Sequence, residues 1–296
     1  MKRIVYIGCV ESSYQILKHM LEKGYMVSGI VTKEQSSVNS DFHSLISLAD
    51  EYGIESFCTK NINDKASYEF ISSKKPDVIY CFGWSNLIGK ELLTLAPYGI
   101  IGFHPAEIPM NRGRHPLIWA LVLGLDKTAS TFFVMDEGAD SGDIISQKQV
   151  VIDYNDDAYS LYEKILNVAK DQVIELTGML NADSLVRIPQ KTGTGNTWRK
   201  RNKLDGQIDW RMSCEAIYNL VRGLTHPYVG AHFVYGDKEI KIWKCIAEQN
   251  DTYKNIEPGK VLMVRSDNEF IVKAYDGIVH VIECDSVRLK EGEYLL

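Results

Sequence analysis

The chain has 296 residues, 45% hydrophobic and 24% charged, which fits a globular protein of about two domains and excludes a disordered or fibrous chain. Its 33 basic residues against 39 acidic ones give a net charge of −6, which argues against a general nucleic-acid binder. No apolar run approaches the ~20 residues of a membrane span, and the scattered cysteines form no CxxC pair, so they read as reduced thiols of a cytoplasmic protein without disulfides or a metal site.

The opening MKRIVYIGCV reads as a first strand rather than a signal peptide, because Glu11 follows at once and no small-residue cleavage site is present. Arg3 to Ile7 is a strand. Ser12 to Lys23 is a helix, with Ile16, Leu17, Met20 and Leu21 at helical spacing, and Met26 to Val31 is a second strand. This is a βαβ unit, from which parallel pairing follows. Helices are predicted at Phe42 to Tyr52, Ala66 to Ser73 and Pro116 to Leu123, and strands at Val78 to Phe82, Gly99 to Phe103 and Ser130 to Met135. Ala158 to Met179 carries the apolar stripe of one long helix. Residues 1–188 therefore read as a doubly wound α/β domain with a mostly parallel, Rossmann-like sheet.

The character then changes. Residues 189–208, including QKTGTGNTWRKRNKLDGQ, have no hydrophobic period and read as a linker or crossing loop. In 209–296 a helix from Cys214 to Gly223 precedes five short strands separated by GD, PG, SDN and DG turns, which predicts a smaller β-rich domain of the OB type.

In an open parallel sheet, ligands sit beyond the carboxyl ends of the strands. After the first strand there is one glycine and Glu11 rather than GxGxxG, which disfavours a dinucleotide; Glu11, Ser12 and Ser13 read either as helix capping or as substrate-facing. Gly99 to Phe103 delivers His104 to a strand end, close in sequence to Asn111, Arg112, Arg114 and His115. The strand ending at Met135 runs into DEGADSGD, whose spacing fails the EF-hand pattern. The remaining inference is a tight loop that brings one carboxylate beside His104.

The pairing of FHPAEIPMNRGRHPLIWALVLG with STFFVMDEGADSGDIISQ resembles the 10-formyltetrahydrofolate-dependent formyltransferase family, its sugar N-formyltransferase branch above all. DGQIDW, IYNLVRGLTHPYVGAHF and EIKIWK are similar to the entry into that family's C-terminal OB-like domain. The resemblance implies an Asn-x-His plus a distant Asp. The His falls on His104 as base and the Asp on Asp140 as its orienter, while Gly102 stands at the Asn position. Asn111, or cationic His104, is the candidate oxyanion donor in place of the missing amide. The resemblance further implies a folate pocket formed by Phe82, Trp84, Asn86, Leu87 and Ile88 with Asp136 and Gly138. Core packing is the competing reading for Phe82, Trp84, Leu87 and Ile88.

The stretch after the second strand, TKEQSSVNSDFHS, is short and carries one lysine, which disfavours a tRNA grip. Arg112, Arg114, His115, Trp198 and Arg199 suit a nucleotide base and its diphosphate. The leading substrate is a nucleotide-linked amino sugar, with a pseudaminic-acid-type precursor as one candidate and a homodimer as the candidate assembly. A methionyl-tRNA formyltransferase, and a catalytically silent folate- or nucleotide-binding module motivated by Gly102, stay open.

Overall fold

The computed structural model describes residues 1–35, 41–191 and 193–295, so part of the TKEQSSVNSDFHS stretch, 36–40, lies outside the described residues. In chain order the elements are β1 (Ile4–Ile7), α1 (Glu11–Glu22), β2 (Val27–Thr32), α2 (Ile46–Glu51), β3 (Ser56–Cys58), α3 (Lys65–Ser73), β4 (Val78–Cys81) and α4 (Lys90–Leu93). They continue with β5 (Ile100–His104), β6 (Arg112–Gly113), α5 (Pro116–Val122), β7 (Lys127–Val134), β8 (Ile144–Val151), α6 (Ala158–Asn181), β9 (Thr197–Trp198) and α7 (Cys214–Leu224). The last strands are β10 (Ala231–Tyr235), β11 (Lys238–Gln249), β12 (Val261–Ser266), β13 (Glu269–Lys273) and β14 (Gly277–Cys284).

The chain forms two compact units. The first comprises 1–113, 128–150 and 163–198. Its sheet has the order β3-β2-β1-β4-β5-β7-β8. The pairs from β3 through β5 are parallel, and β7 joins β5 antiparallel with Gly102 opposite Phe133 and His104 opposite Thr131. The apolar runs are buried where periodicity puts them: Ile16, Leu17 and Met20 of α1 and Ile79 and Ile100 of the central strands are fully enclosed. Burying each such side chain contributes about 1.5–3 kcal/mol. Four strands escape the sequence reading, the two-residue β6 and β9 among them. Of the other two, β3 is three residues long and β8 is half-buried to exposed, with Val150 alone enclosed, so neither carries a clear apolar period.

The second unit comprises 114–127, 151–162 and 199–296. The sequence reading ends the first domain at 188 without a break, whereas this division is discontinuous. Two observations explain why. Ile118 of α5 belongs to the apolar core built on α7, and a Cβ on Gly223 would meet Val122 Cγ2 at 3.1 Å and Leu121 Cβ at 3.2 Å, so glycine permits the close approach of α5 and α7. The buried Arg222 of α7 donates to Asn219 Oδ1 at 2.7 Å and to the carbonyls of Asp153, Tyr154 and Asp156 at 3.0–3.2 Å, which ties 151–162 to the same helix. The strands form one antiparallel sheet in the order β10-β11-β14-β13-β12. These five strands make the smaller β-rich domain that the turn spacing predicts. Among the described residues, no helix is long and apolar enough to cross a membrane.

Candidate active site

β5 ends at His104, at the carboxyl side of the parallel strands where an open sheet leaves its crevice. The strand-end position read from sequence implies an open side chain. His104 is instead 5% exposed, because the loop after it folds back over the strand end. The backbone carbonyl of Asn111, in the left-handed conformation (φ 65°), lies 2.9 Å from His104 Nε2. A carbonyl only accepts, so this contact assigns the proton to Nε2 and leaves Nδ1 as the basic nitrogen. Asn196 braces the loop: its Oδ1 accepts from Asn111 N at 2.8 Å and its carbonyl accepts from Arg112 N at 3.1 Å. Gly195 makes this approach feasible, since a Cβ there would meet Pro109 O at 1.8 Å.

Asp140 Oδ2 lies 3.7 Å from His104 Nδ1. That distance is too long for a hydrogen bond, so the carboxylate faces the imidazole as a charge rather than as a direct acceptor. Asp140 is itself held: Oδ2 accepts from Gly113 N at 3.0 Å, and its carbonyl accepts from Arg112 Nε at 3.1 Å and Gln190 Nε2 at 2.9 Å. The loop around it closes on itself, with Asp136 Oδ1 accepting from Gly138 N at 3.0 Å and Ser141 Oγ at 2.7 Å. Asp136 Oδ1 thus builds the turn that presents this loop. Gly138 is there because a Cβ would meet Ser141 Oγ at 2.1 Å.

Arg112 holds this loop as well. The sequence reading gives it to substrate; in the structure its guanidinium also bonds the chain, with Nε on Asp140 O and Gln190 Oε1, Nη2 on Gln190 Oε1, and Nη1 on Thr194 O. At Gly102 the absent amide leaves no vacancy. Phe133, directly across the ladder on the face that also carries His104, lays its ring over the glycine, and a Cβ at 102 would meet Phe133 Cζ at 2.9 Å and Met135 Cε at 3.0 Å.

The segment assigned to folate divides. Phe82 is fully buried among the rings of Tyr6, Tyr80, Phe103 and Phe132, so core packing decides its place and it leaves the pocket set. Ile88 is also core. Trp84 is 8% exposed, its Nε1 has no partner among the described residues, and Lys33 Nζ lies 4.5 Å from its ring centroid. An orphaned donor at a strand end suits a heterocycle rich in acceptors. Asn86 and Leu87 are exposed. Asn63, which no sequence signal marked, pins this loop by donating to Leu87 O at 2.9 Å and accepting from Gly89 N at 2.7 Å.

Glu11 heads α1, where Ser13 Oγ accepts from Val10 N at 3.4 Å. The Glu11 carboxylate accepts from Gln15 at 2.8 Å and meets His43 Nδ1 at 2.5 Å, and the His43 ring stacks on Tyr14. Burial alone would raise the Glu11 carboxyl, but these bonds outweigh it and hold the group below the usual carboxylate range. Ser12 lies in the first turn, half-buried. Trp198, in β9, pairs with Gly113 of β6.

Arg114, His115 and Arg199 belong to the second unit. His115 starts α5 in the left-handed conformation with its Nδ1 buried and unpartnered among the described residues, and burial followed by the Arg114 charge lowers its pKa. Trp119 is flanked by the guanidinium groups of Arg199 and Arg201, 5.2 and 4.7 Å from its ring centroid, and Arg199 also grips Asp205. Arg201 donates to the Asp205 carbonyl, so both arginines are anchored on the same residue. Among the described residues no group of three or more His, Cys, Asp and Glu could hold a metal.

The first unit thus pairs a histidine with a carboxylate at the carboxyl end of an α/β sheet, and the second is β-rich. Family models for the formyl transferase domain and its C-terminal domain match residues 25–177 and 200–291. A methionyl-tRNA formyltransferase of Caldanaerobacter subterraneus subsp. tengcongensis is 31% identical, the match covering 99% of this chain and 96% of that protein. Among solved structures, WlaRD, a sugar 3N-formyl transferase with dTDP and 5-N-formyl-THF, superposes with a TM-score of 0.73 at 18% identity over 96% of this chain and 98% of its own. The N-formyltransferase of Helicobacter canadensis, with folinic acid and dTDP-3-aminofucose, gives 0.73 at 16% identity over 96% and 100%. The chain belongs to the formyl transferase family.

Proposed function

We propose that this formyltransferase moves the formyl group of 10-formyltetrahydrofolate to the amine of a nucleotide-linked amino sugar, in the cytoplasm, with chemistry at the 104–140 site of the 1–188 portion. The observation that carries the reading is the pair His104 and Asp140 at the end of β5, with Asn111 folded onto it. An amine attacking a formyl carbon must lose a proton, and negative charge develops on the formyl oxygen. His104 takes the proton at Nδ1, and the Asp140 carboxylate stabilises the imidazolium that results. Asn111 is the candidate donor to the oxyanion, since the backbone at 102 is walled by Phe133 and Met135. Trp84 and its neighbours 86–87 are the candidate folate contacts.

The amino-sugar acceptor is supported by the negative net charge and by the single lysine in 32–44, which suit a small acceptor better than a polynucleotide. A pseudaminic-acid-type precursor is the finer candidate. The test is formyl transfer from 10-formyltetrahydrofolate, read by mass spectrometry, with dTDP-3-aminofucose, UDP-linked amino sugars and initiator methionyl-tRNA as acceptors. Formylation of an amino sugar is expected. Formylation of the tRNA alone would replace the acceptor, and folate binding without turnover on any acceptor would point to a silent binding module.

A further inference from the structure

We propose that Arg112 and Gln190 are positioning residues for formyl transfer that act through Asp140, an inference resting on the His104–Asp140 assignment above. Asp140 adopts the left-handed conformation (φ 55°), which is disfavoured for a residue with a Cβ, though less for Asp than for most, and is held here by its surroundings. Two side chains enforce it from outside the loop. Gln190 Nε2 donates to Asp140 O at 2.9 Å and Gly142 O at 2.7 Å, spanning the turn. Gln190 Oε1 in turn accepts from Arg112 Nε and Nη2, and Arg112 Nε also reaches Asp140 O at 3.1 Å.

The chemistry of this clamp matters as much as its geometry. Arg112 holds Asp140 by its carbonyl, while the carboxylate is aimed by Gly113 N, the residue next to Arg112 in β6. The main chain is fixed by a cation, and the carboxylate charge is left to face His104 at 3.7 Å. A lysine at 112 would keep the charge but not the planar fork that serves Asp140 and Gln190 together.

The test uses the full-length enzyme with 10-formyltetrahydrofolate and dTDP-3-aminofucose. Gln190→Ala and Arg112→Lys should each lower kcat by about 10²-fold, the scale of a misplaced catalytic group, with KM for the folate changed less than about threefold. Gln190→Glu keeps an acceptor for Arg112 but loses both donors, and should fall with them. In an Asp140→Asn background the further loss from Gln190→Ala should shrink below about threefold, because residues acting through one group are not additive. Equal losses in both backgrounds would overturn the clamp and leave Asp140 in the mechanism. An unimpaired Asp140→Asn enzyme would instead remove the underlying assignment. A crystal structure of Gln190→Ala needs no acceptor: displacement of Asp140 from its left-handed conformation supports the clamp, and an unmoved Asp140 with its Gly113 contact intact refutes it.

Discussion

Gly102→Ala asks whether the position of the family's asparagine is closed in this protein. The added Cβ would lie 2.9 Å from Phe133 Cζ and 3.0 Å from both Phe133 Cε1 and Met135 Cε, inside the ~3.5 Å of an ordinary carbon contact. Met135 can swing its terminal methyl away, but Phe133 is 2% exposed and its ring is enclosed on a paired strand. Overpacking of this kind costs about 1–3 kcal/mol, which at roughly 2–4 °C per kcal/mol lowers Tm by roughly 2–12 °C. Gly102→Asn drives an amide further into the same ring, so it should lose more stability than Ala and gain no turnover. Differential scanning calorimetry combined with formyl-transfer kinetics reads both effects. Adding Phe133→Leu removes the atoms being struck, so the loss from Gly102→Ala should shrink by about 0.5–3 kcal/mol in that background. An unchanged Tm for Gly102→Ala, or a higher kcat for Gly102→Asn, would refute the argument that Phe133 and Met135 close the site.

His104→Gln keeps an N–H donor for the Asn111 carbonyl but cannot take a proton, so turnover should fall by about 10²–10⁴-fold with little change in Tm, measured by kinetics and calorimetry on the same preparation. Asp140→Asn removes the charge facing Nδ1 and should lower kcat by several orders of magnitude with a smaller change in KM; a collapse of folate binding instead would make Asp140 a cofactor residue. Asn111→Ala should cost about 10²-fold in kcat if its amide serves the oxyanion, and near-wild-type turnover would leave His104 as the donor. Because Gln15 and His43 depress the Glu11 carboxyl against its burial, its contribution to stability is present above the unfolded value of about 4.3 and is lost as pH falls through the lower native value. The Tm gap between wild type and Glu11→Gln, followed by circular dichroism, should therefore be open at about pH 6 and close toward about pH 3; a gap that widens on acidification would contradict the assignment.

The sequence by itself determined the alternation of strand and helix through β5, the five short strands after 230 and the delivery of His104 to a strand end, because each is written in local period and turn chemistry. It also exposed the departure at Gly102. Periodicity records that a side chain is buried but not against what, so the rest waited for the tertiary structure. Phe82, Trp84 and Ile88 read alike in sequence, yet one sits inside an aromatic core and another keeps an unpartnered indole N–H. Arg112 reads as a cation awaiting a phosphate, and only contacts 28 and 78 residues away reveal that it is committed to Asp140 and Gln190. Likewise α5 has the composition of any doubly wound helix, and its membership of the second unit follows from the packing of Ile118 and of Val122 beside Gly223. Hydrogen bonds to loop carbonyls and the fit of a ring over a glycine depend on pairings distant along the chain, which leave no local period to read.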